Sequence, residues 1–436
     1  MSSHDSTCVL GRLDDLVSDD WPLLAGKILR VRDPLLEPRV GPQPLRLKGD
    51  LLIAFAPRAG AEHVADRSGG QHPQFAHRSS SYGAIVYYLC PLPSTANQGR
   101  RQPSDRYSRV VLSAREATVV AELFDLGGNA RVVGQPARGE LGEVWPVQTD
   151  RGKWAIKRPF EAQDEQEEEP NAAFAELVYA RGITTPRTIR TPQGHLLADI
   201  DGTQFRAYGW VDIADTDPSI DAAMVGQLVA GLHAIVVHRD EPVHPWFTEP
   251  VGRERWHELA VRMHERGSRW APVLQAYVDE LALLETLLEP PQDLQVCHRD
   301  LWADNVRLHD SGGLCVFDWE EAGNCDPSQE LAAVLFEYTR GDPARATTLI
   351  SAYVAAGGPG RISGRGTFSM AIAQLGHIGE RACRIWLDTD DPNERRRIEA
   401  NVEEFLQARL SIAGIDLLIA AARAAESSAP SRCGDQ

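Results

Sequence analysis

No apolar run in this sequence reaches the roughly 18 residues that a bilayer-spanning helix needs, so no membrane segment is expected. A basic excess is missing as well. Lys and Arg number 45 against 62 Asp and Glu, for a formal charge of −17, and a surface of that sign repels the phosphates of nucleic acid. Cysteine is sparse and scattered, with seven residues and no Cys-x-x-Cys pair. That usage argues for reduced thiols in a cytoplasmic protein and against a disulfide framework. Residues 1–15 lack the basic start and apolar centre of a secretory signal. The lysine-bearing phosphate loop G-x4-G-K-[ST] and the G-x-S-x-G of serine hydrolases are absent. His257-Glu258 is followed by His264 at the wrong spacing for a zinc-binding H-E-x-x-H. Several nucleotide, hydrolase and metalloprotease classes fall with these motifs.

What is present is concentrated in residues 294–323, LQVCHRDLWADNVRLHDSGGLCVFDWEEAG. An apolar run, a polar loop and two short apolar runs around Ser311-Gly312-Gly313 predict a strand, a loop and a β-hairpin. Asp300, Asn305, Asp318 and Glu320 fall at the loop and strand ends. Phosphoryl transfer needs such a set: one carboxylate to orient the attacking hydroxyl, then an amide oxygen and a second carboxylate for the magnesium ion. Cys297, beside the loop, is expected to be a small core residue.

The pattern resembles the H-[RG]-D-x4-N and D-x-[DE] motifs of kinase-fold enzymes, and in particular the aminoglycoside phosphotransferase / choline kinase family. His298, Asp300 and Asn305 match the first motif, and Asp318-Trp319-Glu320 the second. The continuation through Ala322-Gly323-Asn324-Cys325-Asp326-Pro327 and Glu330-Leu331-Ala332 is similar too. The resemblance covers about residues 113–425. It implies an α+β, two-lobed protein-kinase-like fold, with a small antiparallel β lobe and a larger, mostly helical lobe. It implies ATP between the lobes and Mg2+ on Asn305 and Asp318, with Glu320 near a second ion. Asp300 is then the catalytic residue, His298 a brace for the loop, and the acceptor a small hydroxyl-bearing molecule such as an aminoglycoside, amino alcohol, homoserine or sugar. A non-catalytic kinase-fold protein and a Ser/Thr protein kinase are the other classes considered. Against the latter, Asp318 is followed by Trp-Glu rather than Phe-Gly, and no Ala-Pro-Glu is present.

The rest of the chain is placed around that stretch. Residues 1–109 alternate short apolar runs with Pro-, Gly-, Ser- and Arg-rich stretches and are expected to form a partly disordered extension. They hold 14 Lys/Arg and 11 Asp/Glu, which leaves 31 and 51 for the remainder, about −20. Residues 110–212 are expected to form the nucleotide-binding lobe. Ser113 and Glu116 predict a capping box, and β-runs follow at residues 130–136, 143–148 and 154–158. In the kinase alignment Gly139 and Gly142 of the first turn would meet ATP phosphates, and Lys157 on the third run would neutralise them.

A helix is expected at residues 171–181, after Pro170. Glu176 has the separation of a kinase lysine partner but lies roughly 150° from the apolar face centred on Phe174, Leu177 and Val178. Glu167 is in phase but precedes the proline, so the partner stays unassigned. Further strands at residues 187–191, 195–200 and 204–211 would complete the antiparallel sheet, with Trp210 and Asp212 at the adenine hinge. Residues 213–425 are expected to be the catalytic and acceptor-binding helical lobe, with His233 a structural residue. Trp246, Trp256 and Trp270 suit core or interface positions, with pocket lining the other reading. Residues 426–436 are expected to be a frayed tail.

Overall fold

The computed structural model describes residues 112–139 and 141–428, together with the antiparallel strand pair β1 (Arg46–Leu47) and β2 (Asp50–Leu51). That pair belongs to a separate N-terminal unit. The expected disorder of residues 1–109 otherwise lies outside the described residues, as do residues 429–436 of the expected tail.

The described body opens on α1 (Ala114–Leu123), started by the capping box: the Glu116 N–H donates to Ser113 Oγ at 3.1 Å, and the Glu116 carboxylate accepts from the Ser113 N–H at 2.8 Å. Ala117, Val120 and Ala121 bury one face of α1 against Trp145, Val147, Ile156, Phe205 and Ala207 of a sheet. The sheet consists of β3 (Arg131–Val132), β4 (Ala137–Arg138), β5 (Gly142–Thr149), β6 (Gly152–Pro159), β7 (Thr188–Ile189), β8 (Ala198–Ile200) and β9 (Thr203–Gly209). Its order is β3-β5-β6-β9-β7, with β4 added on β5 and β8 on β9, and every pairing is antiparallel. Seven strands replace the six expected runs. The first run is split, with β3 ending at Val132 and β4 beginning at Ala137, and Pro136, which has no N–H to give a ladder, lies in the break.

Between β6 and β7 lies α2 (Glu165–Ala180), which starts six residues before the expected Asn171. Asp164 caps it, accepting from the Gln166 N–H at 2.8 Å, and Glu165, Glu167 and Glu168 crowd its first turn. Carboxylates there favour the positive end of the helix, and the helix continues through Pro170. The expected start at Asn171 is thus corrected to Glu165.

After β9 the chain crosses into the helical lobe. Ile213 bridges His309, and the Ala214 N–H donates to the Leu308 carbonyl at 2.8 Å. The lobe contains α3 (Ala222–His233), α4 (Arg253–Glu265), α5 (Ala271–Glu285), the strands β10 (Gln295–Cys297), β11 (Val306–Leu308), β12 (Leu314–Val316) and β13 (Gly323–Cys325), then α6 (Pro327–Thr339), α7 (Pro343–Ala355), α8 (Ser369–Asp388), α9 (Pro392–Gln407) and α10 (Ile412–Ser428). One apolar cluster joins α3, α6, α7 and α10 beneath the short strands. A second joins α4, α5, α8 and α9 around Trp256, which stacks on Phe405 at 5.7 Å. Trp256 is thus core, and Cys297 is buried in the first cluster. The C-terminal segment departs from expectation. Helix α9 ends at Gln407, the next helix runs to Ser428, two residues beyond the expected start of the tail, and Ile415, Leu418 and Ala422 of α10 enter the main core. Among the described residues no single helix is long and apolar enough to cross a membrane.

Candidate active site

Strand β10 is buried along its whole length and pairs antiparallel with β13, so the loop that follows starts from a fixed base. Arg299 then takes a left-handed backbone, φ 64°, which is uncommon for a residue with a side chain. Three contacts hold it there. Its N–H donates to the Glu330 carboxylate, its Nε to the Glu321 carbonyl at 2.6 Å, and its carbonyl accepts from Gln374 Nε2 at 3.0 Å. Gly323 leaves room for the Arg299 guanidinium, which an added Cβ would meet at 2.5 Å and displace. His298 faces the Phe317 carbonyl at 3.2 Å and accepts from the Asp300 N–H at 3.2 Å. Burial pushes its pKa down to about 4, so at neutral pH it braces the loop uncharged.

That bracing brings Asp300 and Asn305 together. Asn305 Nδ2 donates to Asp300 Oδ2 at 2.6 Å and to the Asp300 carbonyl at 3.0 Å. Asp300 is 2% exposed, and its Oδ1 has no well-formed hydrogen bond. Burial, then Glu321 and Asp318, push its pKa well up; Asn305 and the nearby Trp302 indole offset this only in part.

Asp318 arrives from the neighbouring hairpin. Strands β11 and β12 pair antiparallel around Ser311-Gly312-Gly313, as the sequence indicates. The Phe317 N–H donates to the Asn305 carbonyl at 3.1 Å, which sets the two legs side by side. Asp318 is itself left-handed, φ 65°, and such backbone strain concentrates at functional sites. A short 3-10 turn, Trp319–Glu321, follows. Trp319 anchors it, donating from Nε1 to Thr185 Oγ1 at 2.8 Å and packing its ring 4.5 Å from His298.

Across the cleft, Lys157 on β6 meets this turn. Its ammonium binds Glu320 Oε1 and lies 3.8 Å from Asp318 Oδ1. Burial by itself would lower the lysine pKa, but Glu320 and Asp318 outweigh it and hold it above the ordinary value. Burial likewise raises Asp318, against Lys157, whereas Lys157 and Arg206 win at Glu320 and lower it.

The sequence left the lysine's partner open, and the structure supplies Glu320, from 163 residues away. Glu176 instead holds Arg190 at 2.7 Å. The helix carboxylate turned toward the site is Glu168, 2.8 Å from Arg206, and Arg206 pairs across the sheet with Lys157. Neither Glu168 nor Arg206 was singled out from sequence. A signal existed for Glu168, because it shares a helix face with the buried Ala172 and Ala175 once the helix starts at Asp164.

The remaining expected residues sit as follows. Gly139 is exposed in the turn before β5, and its N–H donates to the Gly142 carbonyl at 3.0 Å. Gly142 is already inside β5, paired with Pro159. An added Cβ would come 2.5 Å from the Arg158 carbonyl oxygen, so the neighbouring strand demands this glycine. Trp210 and Asp212 bind each other at the lobe crossing, Nε1 to Oδ1 at 2.7 Å, with the Lys153 ammonium 3.8 Å from the centre of the Trp210 ring.

The donor set of this cleft fits a divalent cation. Asp318 and Asn305 offer oxygen only, which suits a hard ion such as magnesium. Asp300 adds a buried oxygen without a settled partner. Residues 133–366 match the phosphotransferase enzyme family, and the chain belongs to it.

Solved structures share the architecture. The chain is similar to an aminoglycoside phosphotransferase from Alicyclobacillus acidocaldarius, with TM-score 0.51 and 14% identity over 73% of this chain and 98% of that one. It is also similar to a spectinomycin phosphotransferase, with TM-score 0.49 and 15% identity over 70% and 97%. A third is an ethanolamine kinase from Plasmodium vivax, with TM-score 0.44 and 12% identity over 71% and 96%. At these identities the likeness is one of fold. No curated protein sequence matches the chain significantly.

Proposed function

We propose that the protein transfers the γ-phosphoryl group of ATP to a hydroxyl of a small molecule. The observation that carries this is Asp300, a buried carboxylate with one oxygen fixed by Asn305 and the other left without a well-formed bond, near the Asp318 carboxylate that Lys157 approaches. Asp300 accepts the proton of the attacking hydroxyl, and its raised pKa makes it a stronger base than an ordinary aspartate. Lys157 binds phosphate oxygens, the Gly139 turn covers them with backbone N–H groups, and the Trp210–Asp212 crossing meets the adenine edge. Magnesium, held by Asp318 and Asn305, would neutralise charge on the transferring phosphate.

The metal assignment is tested by calorimetry. Asp318→Ala is expected to weaken magnesium-dependent nucleotide binding more than Asn305→Ala, because a carboxylate brings full charge and an amide only a dipole. Equal binding by both variants and the parent would refute it.

An acidic wall beside Asp300 supports an amine-bearing acceptor. The Glu337 carboxylate accepts from the Ala303 N–H at 3.2 Å, and Asp304 from the Thr216 hydroxyl at 2.6 Å. Burial, then Asp304 and Glu337, push Glu404 up to about 7. The Tyr338 hydroxyl is fully buried and unpartnered, and it feels Glu337, Asp304 and Asp300. Arg340, and Arg307 at 3.8 Å from Asp304, offset this repulsion only in part, and a cationic group on the acceptor would relieve more of it. Amino alcohols and aminoglycosides should therefore release ADP faster than neutral sugars, and 1 M salt should weaken their apparent affinity, because the Debye length falls from about 10 Å at 0.1 M to about 3 Å. Turnover confined to neutral or anionic acceptors, indifferent to salt, would overturn the charge assignment.

A further inference from the structure

Lys157 and Arg206 face each other across β6 and β9 and share one carboxylate oxygen. Glu320 Oε1 binds the Lys157 ammonium and lies 3.5 Å from Arg206 Nη1, which also holds Glu168 at 2.8 Å. The Glu320 backbone cannot follow its side chain, because its carbonyl accepts from Asn171 Nδ2 at 2.8 Å. Arg206 is only 4% exposed, and among the described residues no other carboxylate lies within ion-pair distance of it. Two cations therefore serve three carboxylates here: Glu168, Glu320 and Asp318.

The arrangement creates a problem for any enzyme that uses Lys157 on phosphate. When the ammonium turns toward a phosphate oxygen, Glu320 loses its nearest counter-charge in a buried site, and an unpaired buried carboxylate is costly. We infer that Arg206 is the positioning residue that takes over Glu320 and so frees Lys157 for the nucleotide. The guanidinium suits this, since its planar fork can hold Glu168 with one edge and receive Glu320 with another, which a lysine cannot do. The inference rests on the assignment of Lys157 to phosphate, and its test separates the two.

The test is calorimetry of ATP binding to the full chain in EDTA, which removes the metal from the comparison. Arg206→Met should weaken binding on the order of tenfold or more, the low end of what loss of a close charge pair costs, because Glu320 then keeps Lys157. Glu320→Gln should tighten binding, since the lysine has less to give up. In the Glu320→Gln background, Arg206→Met should have no further effect. An equal loss in both backgrounds would mean that Arg206 acts on the phosphates by its own charge, and no loss in either would mean that it is idle; both overturn the inference. If Arg206→Met does not fold, Arg206→Lys replaces it, with a smaller loss that Glu320→Gln should again abolish, and the same outcomes count against it. Lys157→Met is the control. If it binds ATP as tightly as the parent, the phosphate assignment itself fails, whatever Arg206 does.

Discussion

Asp300→Asn is expected to lower turnover by about 10²- to 10⁴-fold, roughly 3–5.5 kcal/mol of transition-state stabilisation, while ATP affinity holds. The substitution keeps the size of the side chain and an oxygen for Asn305 Nδ2, now 2.6 Å from Asp300 Oδ2. What it removes is the basic oxygen that would take the hydroxyl proton. The same change should stabilise the metal-free protein at neutral pH. The sign follows from the direction of the shift: Asp300 is held well above its ordinary value by burial, Glu321 and Asp318. An acid raised on folding destabilises the folded state at any pH above its unfolded pKa, and the penalty disappears only below that value. The variant should therefore melt higher than the parent at pH 7 and converge with it below about pH 4. Near-normal turnover would remove Asp300 from the role of base, and a lower melting point would contradict the account of its burial.

Glu330→Ala is expected to cost about 1–3 kcal/mol of stability for each buried donor left unsatisfied. Glu330 is 1% exposed and does two jobs. It receives the Arg299 N–H, and it lies 2.7 Å from His233 Nε2. The other His233 nitrogen lies 2.8 Å from the Tyr353 hydroxyl, which also accepts the Gly360 N–H at 2.8 Å. Removing the carboxylate orphans buried donors and loosens the left-handed turn that aims Asp300, so activity should fall with stability. Glu330→Gln keeps an acceptor and should lose less. Burial alone would raise the Glu330 pKa, but His233 and the Arg299 N–H outweigh it and hold it low. Stability from such a depressed carboxyl is present above its unfolded pKa and is lost as pH falls through the folded one. The gap between parent and Glu330→Gln should close in acid. Urea denaturation of all three proteins measures this, and a loss under about 1 kcal/mol for the alanine variant would contradict it.

Much of this site is written locally. His298 to Asn305 and the hairpin to Asp318 lie within about twenty residues, with the turn glycines and strand runs spelled out in order, so their proximity follows from chain connectivity. The capping box at Ser113 and the lobe order are legible for the same reason. What the sequence hides is pairing over distance. Nothing near Lys157 announces Glu320, because the contact forms only when two lobes close on each other. Arg206 is invisible until register sets it opposite Lys157. The acidic wall likewise draws Glu337 and Glu404 from helices far from the Asp300 loop. The start of α2 was misplaced because a proline was weighed above the Asp164 cap and the carboxylates after it.

The most direct measurement follows the phosphoryl group itself. ATP labelled at the γ position is incubated with magnesium, the protein and each amine-bearing hydroxyl compound in turn, and the label is located by mass spectrometry. The expected result is label on an acceptor hydroxyl with the parent protein and almost none with Asp300→Asn. Label that stays on ATP or appears only as inorganic phosphate with every acceptor, or transfer by Asp300→Asn at the parent rate, would contradict the assignment.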